Sequence, residues 1–132
     1  MLIRILCGFL LVLLFAGCQT LSERKQSEAL QEVLRTYEGV IRWGSIAQAR
    51  RFLRPEAEGE APTQNSTALR VTHYEVVQGP SIVEANKAIQ TAVIQYVFVD
   101  SQVVREVVDQ QIWEYDLEGE RWYLASPLPR LE

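Results

Sequence analysis

The sequence predicts an α+β fold in which an N-terminal helical hairpin packs on a curved antiparallel sheet of about four strands. Three observations predict it. Apolar residues Leu30, Val33, Leu34, Tyr37, Val40 and Ile41 recur at the spacing of one helix face. From Ala68 onward the chain is rich in β-branched and aromatic residues. Turn signals separate these β-rich runs at intervals suited to hairpins, so consecutive strands pair with their neighbours.

The first seventeen residues stand apart from that fold. A single charge, Arg4, precedes an uncharged run from Ile5 to Gly17, and small residues Ala16 and Gly17 precede Cys18. A charged start, a short apolar stretch and a small-residue cut make a secretory signal. Phe15-Ala16-Gly17-Cys18 resembles the lipobox of bacterial lipoproteins, with Phe15 where Leu is usual. That resemblance implies cleavage before Cys18 and acyl chains on it. Two or three chains anchor stably where a single one holds marginally. An uncleaved anchor helix is disfavoured because the run is 13 residues, short of the ~20 a span requires. An ordinary secretory cut, with Cys18 incidental, is the other reading. Gln19 follows the cysteine, where lipoproteins kept in the inner membrane resemble one another in having Asp. The expected location is therefore the periplasmic face of the outer membrane.

The expected organisation is a signal over residues 1–17, a lipidated tether over 18–21 and one domain over 22–132. Of 132 residues, 17 leave with the signal, and the remaining 115 suffice for one core. The signal takes one of 13 basic residues and none of 17 acidic ones, so the net charge becomes −5. That balance argues against nucleic acid and against attraction to anionic lipid. Cys7 leaves with the signal and Cys18 is consumed by lipid, so no disulfide is expected. With one His and no free thiol, zinc, haem and iron–sulfur sites are disfavoured, and no cofactor is expected.

The first helix is expected from Ser22 to Trp43. Glu23, Glu28 and Glu32 favour its first half and Arg35 and Arg42 its end. Gly44 supplies a stop and Ser45 a cap for a second helix, Ile46–Leu53, which Pro55 ends. Residues 56–67 read as a loop. Asn65-Ser66-Thr67 matches a glycosylation sequon, which carries no weight in a bacterial chain.

The first strand is expected over Ala68–Val77, broken by Gln78-Gly79-Pro80-Ser81. Ile89–Val99 alternates most strongly, with Ile89, Val93, Val97 and Val99 on one face and Gln90, Ala92, Ile94, Tyr96 and Phe98 on the other. Two apolar faces imply a central strand covered on both sides, or one partnered across a dimer. Asp100-Ser101-Gln102 turns the chain into Val103–Tyr115. A hairpin loop around Gly119, expected at positive φ, leads to Arg121–Ser126, which Pro127 and Pro129 stop.

Tyr37-Glu38-Gly39-Val40-Ile41-Arg42-Trp43-Gly44, Phe52-Leu53-Arg54-Pro55 and the closing hairpin Gln111-Ile112-Trp113-Glu114-Tyr115-Asp116 with Gly119-Glu120-Arg121-Trp122-Tyr123-Leu124 resemble the NTF2-like superfamily of cone-shaped, cystatin-like rolls. With its ending Ser126-Pro127-Leu128-Pro129, the chain is similar to small proteobacterial lipoproteins carrying such a domain. The resemblance implies a conical pocket between sheet and helices but no single chemistry, since members include isomerases, dehydratases, ligand binders and interaction modules.

Candidate residues are few. His73, the single histidine, would serve as a general base, but it has no partner placed by local motif and reads better as a strand residue on a wet face. Asp109 would be a buried carboxylate with a raised pKa if it faced the concave side, and period-2 counting sets it beside Arg105, with which it would pair. The solvated or paired reading is preferred. Trp43, Trp113 and Trp122 would line an apolar pocket, though core packing is the default for tryptophan. Arg50, Arg51 and Arg54 would meet lipid phosphate or an acidic partner, with a solvated face as the plainer reading. No nucleophile–base order, glycine-rich phosphate loop or metal spacing appears. The expectation is a non-catalytic, membrane-anchored domain that binds an envelope protein or an apolar ligand. A small pocket enzyme and a structural subunit of an envelope complex are the alternatives.

Overall fold

A computed structural model describes the backbone of residues 2–60 and 68–132, and the side chains of residues 20–57 and 68–132. The side chains of Cys7 and Cys18 and the sequon at Asn65 lie outside the described residues. One long helix and one short helix pack on a four-stranded antiparallel sheet that does not close, an α+β architecture as the sequence predicts.

Helix α1 runs Leu2–Trp43 without interruption. The helix expected from Ser22 begins before it, and residues 18–21, expected as a tether, are helical. No glycine or proline lies between Cys18 and Gln26, so nothing stops the helix there and Ser22 does not act as a cap. From Gln26 onward the helix is tied to the sheet. The Gln26 amide donates to the Ala85 carbonyl (2.9 Å), and the Trp122 indole N–H donates to the Gln26 carbonyl (3.0 Å). Leu30, Leu34, Tyr37 and Ile41 form the buried stripe. The Gly44 N–H closes the last turn on Val40 (2.9 Å). Helix α2, Ile46–Ala49, is capped by Ser45, whose side chain accepts from the Gln48 N–H, and a 3-10 turn over Arg50–Phe52 extends it. Pro55 does not open a loop. It begins a second 3-10 segment, Pro55–Glu60, because a proline's fixed φ and missing N–H suit a first helical turn.

Strands β1 (Leu69–Glu84), β2 (Lys87–Phe98), β3 (Val104–Asp116) and β4 (Arg121–Leu124) pair in sequence order. The break expected at Gln78–Ser81 is not there. β1 continues through it with register shifts on either side of Gln78. An edge strand tolerates this, since Pro80 falls in a register shift with no paired partner on β2 and each bulge absorbs an extra residue. The β2–β3 register, by contrast, is unbroken from Val97↔Val104 to Lys87↔Glu114.

The β3–β4 hairpin uses side-chain chemistry. The Asp116 carboxylate accepts from the N–H groups of Glu118 (3.2 Å) and Gly119 (3.3 Å). The positive φ expected at Gly119 falls on Glu120 instead (50°). A Cβ at Gly119 would lie 2.8 Å from Asp116 Oδ2, so the carboxylate that holds the turn would have to shift.

The core lies between α1, α2 and the inner sheet face, where Ala88, Ala92, Ile94 and Tyr96 of β2 alternate with half-exposed outward residues. β2 is therefore central, with one face covered and the other half open. Tyr37, Phe52 and Trp113 meet edge to face, with centroids 5.3, 5.4 and 6.1 Å apart. Such pairs contribute roughly 0.5–1.5 kcal/mol each beyond burial. The tail after β4 is part of this core: Leu128 and Leu131 are buried. The Tyr96 hydroxyl donates to the Glu132 carbonyl (2.8 Å) and accepts from the Glu132 N–H (3.1 Å), and Arg105 donates to the same carbonyl (2.6 Å).

Candidate functional site

The inner face of the sheet carries a closed network of polar side chains inside an otherwise apolar core. Period-2 alternation on β3 brings Asp109, Gln111 and Trp113 inward. Register sets Gln90 opposite Gln111, and Ala92 opposite Asp109, where its small side chain leaves room for the carboxylate. Tyr74 reaches the group from β1 and Tyr37 from α1. The Tyr37 hydroxyl (3.2 Å) and the Gln111 amide (2.8 Å) both donate to Asp109 Oδ2. The Gln111 amide also donates to the Tyr74 hydroxyl (2.8 Å). Gln111 Oε1 accepts from the Gln90 amide (3.3 Å) and the Trp113 indole N–H (3.2 Å).

Asp109 is 3% exposed. Desolvation pushes its pKa up to about 6, against the opposing pull of its hydrogen bonds from Gln111 and Tyr37. Tyr37 and Tyr74 are also raised, each mainly by burial and further by the neighbouring Asp109 charge. The preferred sequence reading of Asp109, solvated or paired with Arg105, is therefore corrected: the carboxylate faces inward, and Arg105 bonds the Glu132 carbonyl instead. A carboxyl of this kind could take up or release a proton near neutral pH. Tyr37, Trp113 and Ala92 around it are all fully buried.

His73 stands elsewhere. It lies exposed on β1, paired in register with Gln95, with Glu75 Oε2 at 3.8 Å from its Nε2. Neighbouring Tyr74 points into the core, so His73 and Asp109 are on opposite faces of the sheet. Trp113 and Trp122 follow the core default, Trp122 packing on Tyr115 at 5.2 Å. Trp43 does not: it is 80% exposed, with the Arg42 guanidinium 5.2 Å over its ring. The arginines on the second helical segment separate. Arg54 pairs with Glu114 (3.3 Å) and lies over Tyr123, while Arg51 lies over Phe52. The Arg54 guanidinium thus meets a carboxylate of β3.

Two surface clefts flank the core. One, of about 280 Å³, lies where the end of α1 meets the start of β1, with Ile41, Ile46, Leu69 and Leu131 as its floor and Arg42, Trp43 and Arg70 at its rim. The other, of about 510 Å³, lies between Leu53, Ala57, Leu124 and Leu128, with the Arg54–Glu114 pair and Arg130 beside it. Neither is lined by Asp109 or His73.

Sequence reasoning missed Gln90, Gln111, Tyr37 and Tyr74 as a group. The signal was present: Gln90 interrupts the apolar face of β2, and Gln111 falls on the Asp109 face of β3. Two polar residues breaking adjacent inward faces imply mutual hydrogen bonding. No protein-family model, curated protein or solved structure matches this chain.

Proposed function

We propose that this chain is a bacterial lipoprotein, held to the membrane through acyl chains on Cys18, whose domain binds an envelope component and catalyses no reaction. The observation that carries the non-catalytic part is the closed network around Asp109. A general base must reach the proton it abstracts. This carboxylate is enclosed by its own partners and by aromatic rings, and His73 lies on the far side of the sheet. Two helices on one face of a curved antiparallel sheet support an NTF2-like, cystatin-like roll, in a member whose cone is filled by side chains. The run that ends at Ala16-Gly17-Cys18 supports the anchor, and the expected site is the periplasmic face of the outer membrane.

Membrane fractionation of the native chain and Cys18→Ser tests the anchor. Wild type is expected in the membrane and the variant released or unprocessed. Normal processing with unchanged anchoring of the variant would overturn the reading. Cross-linking and pull-down from native membranes tests the binding role: a discrete partner supports it. Full function in cells for His73→Ala and Asp109→Ala counts further against catalysis, and loss of a turnover that tracks either residue would restore the enzyme reading.

A second reading, a structural subunit of an envelope complex, is favoured by the outer sheet face. Val104, Val108 and Ile112 of β3 are exposed there, opposite Val97, Val93 and Ile89 of β2. An exposed apolar row of this kind is a common feature of interaction surfaces.

A further inference from the structure

We infer that the cleft at the end of α1 is a docking site for an acidic protein segment that carries one apolar anchor residue. This deepens the binding role proposed above and rests on it. A tryptophan 80% exposed, in a chain whose other two are buried, is a cost to the free protein that a bound partner would remove. Trp and Arg are the residues most enriched at energetic centres of interfaces, and the rim here is made of Trp43, Arg42 and Arg70. The floor of Ile41, Ile46, Leu69 and Leu131 is apolar and fits a single side chain, since about 280 Å³ is below the usual range for an enclosed small-molecule site.

The charge is one-sided. None of the residues lining the cleft is acidic. Glu38, one turn back, holds Arg42 at 3.3 Å, leaving the guanidinium face over Trp43. Arg70 has no carboxylate within ion-pair distance among the described residues. A carboxylate arriving beside it would form a charge-assisted pair without displacing an internal one. The negative end of the α1 dipole opposes an anion here, but Arg42 in the last turn offsets it. The cleft also lies far from the proposed anchor. Twenty-five helical residues separate Cys18 from Trp43, roughly 37 Å at 1.5 Å per residue, so a partner would reach it without competing with the bilayer.

The test is selection of a displayed random dodecapeptide library on the full chain in detergent micelles, followed by anisotropy titration of the enriched peptides. The expected result is enrichment of Asp and Glu around one aromatic or aliphatic residue. Binding should weaken about tenfold or more in Trp43→Ala and in Arg70→Glu, recover in Trp43→Phe, and fall with added salt. All three substitutions are at exposed or rim positions, and near-UV circular dichroism checks that the core is intact. No enrichment, enrichment without acidic residues, or affinities unchanged in both variants would overturn the proposal. Membrane pull-down separates the two levels: a partner captured equally by wild type, Trp43→Ala and Arg70→Glu sinks this cleft while leaving the binding role standing.

Discussion

Tyr37 on α1 and Asp109 on β3 are 72 residues apart in sequence, and the phenol donates a hydrogen bond to the carboxylate across 3.2 Å inside the core. This is a fully buried polar contact between the helix and the sheet, whereas the Gln26 contacts with Ala85 and Trp122 lie nearer the surface. Because a half-satisfied buried group costs more than an apolar pair, it constrains how α1 docks.

The pH dependence of stability follows from Asp109. Its folded pKa of about 6 lies above the ordinary carboxylate value, so folding favours the neutral acid. The stability from this group is fully present below about pH 4 and is lost as pH rises through about 6. The difference is on the order of 3 kcal/mol at about 1.4 kcal/mol per pH unit. In urea unfolding, the midpoint of the wild type should fall between pH 5 and 7.5 more steeply than that of Asp109→Asn. The asparagine oxygen can accept from both Tyr37 and Gln111, so the variant should equal or exceed wild type at pH 7.5. Parallel pH profiles would show that Asp109 is not the group responsible.

Tyr37→Phe isolates the phenol. The ring contacts with Phe52 and Trp113 survive, and only the donor to Asp109 is lost. That hydrogen bond lowers the Asp109 pKa, so its loss should move the carboxyl titration, read by carboxyl NMR, to a value above wild type. Stability should drop by about 1–2 kcal/mol at neutral pH, and by less at pH 5 where the acid is protonated. A titration that stays put would mean the hydroxyl does not sense the carboxylate.

The strand order, the alternation of β2 and the helical stripe from Leu30 to Ile41 were legible in the sequence because each depends on a local pattern, whereas both faces of β2 read as apolar and only one is covered. What was not legible depends on distance or on neighbours. Period-2 counting set Asp109 on the face of Gln111 and Trp113, but it did not say that this face turns inward, because the donor on α1 is 72 residues away and the nearer Arg105 offered a false partner. The continuation of β1 through Gly79-Pro80 depends on its being an edge strand, a property of the assembled sheet. Trp43 looked like a core anchor because its composition is apolar. Its exposure results from its place at the last residue of α1, past the end of the buried stripe.

The two tryptophans should separate sharply on truncation. Trp113 is fully buried against Tyr37 and Phe52, so Trp113→Ala removes a large ring and a buried donor to Gln111. A loss of about 3–5 kcal/mol is expected, enough to unfold a marginally stable domain at 37 °C. Trp43→Ala should stay within about 0.5 kcal/mol. Equal losses in guanidinium unfolding would mean Trp43 packs in a way its exposure denies.

The tail after β4 carries stability that its two prolines and lack of regular structure conceal. Leu131 is buried beside the start of β1, and Leu131→Ala should cost about 2–4 kcal/mol as a cavity opens under the Trp43 cleft. Tyr96→Phe is the gentler probe. It keeps the ring and its edge contact with Phe98 at 5.9 Å, but removes both hydrogen bonds to Glu132. Arg105 still holds the Glu132 carbonyl, so only the Glu132 N–H loses its partner, and a loss of about 1 kcal/mol is expected. Amide exchange read by NMR should accelerate at Leu131 and Glu132 while β2 and β3 stay protected. Acceleration spread evenly over the sheet would instead make Tyr96 a determinant of the whole core.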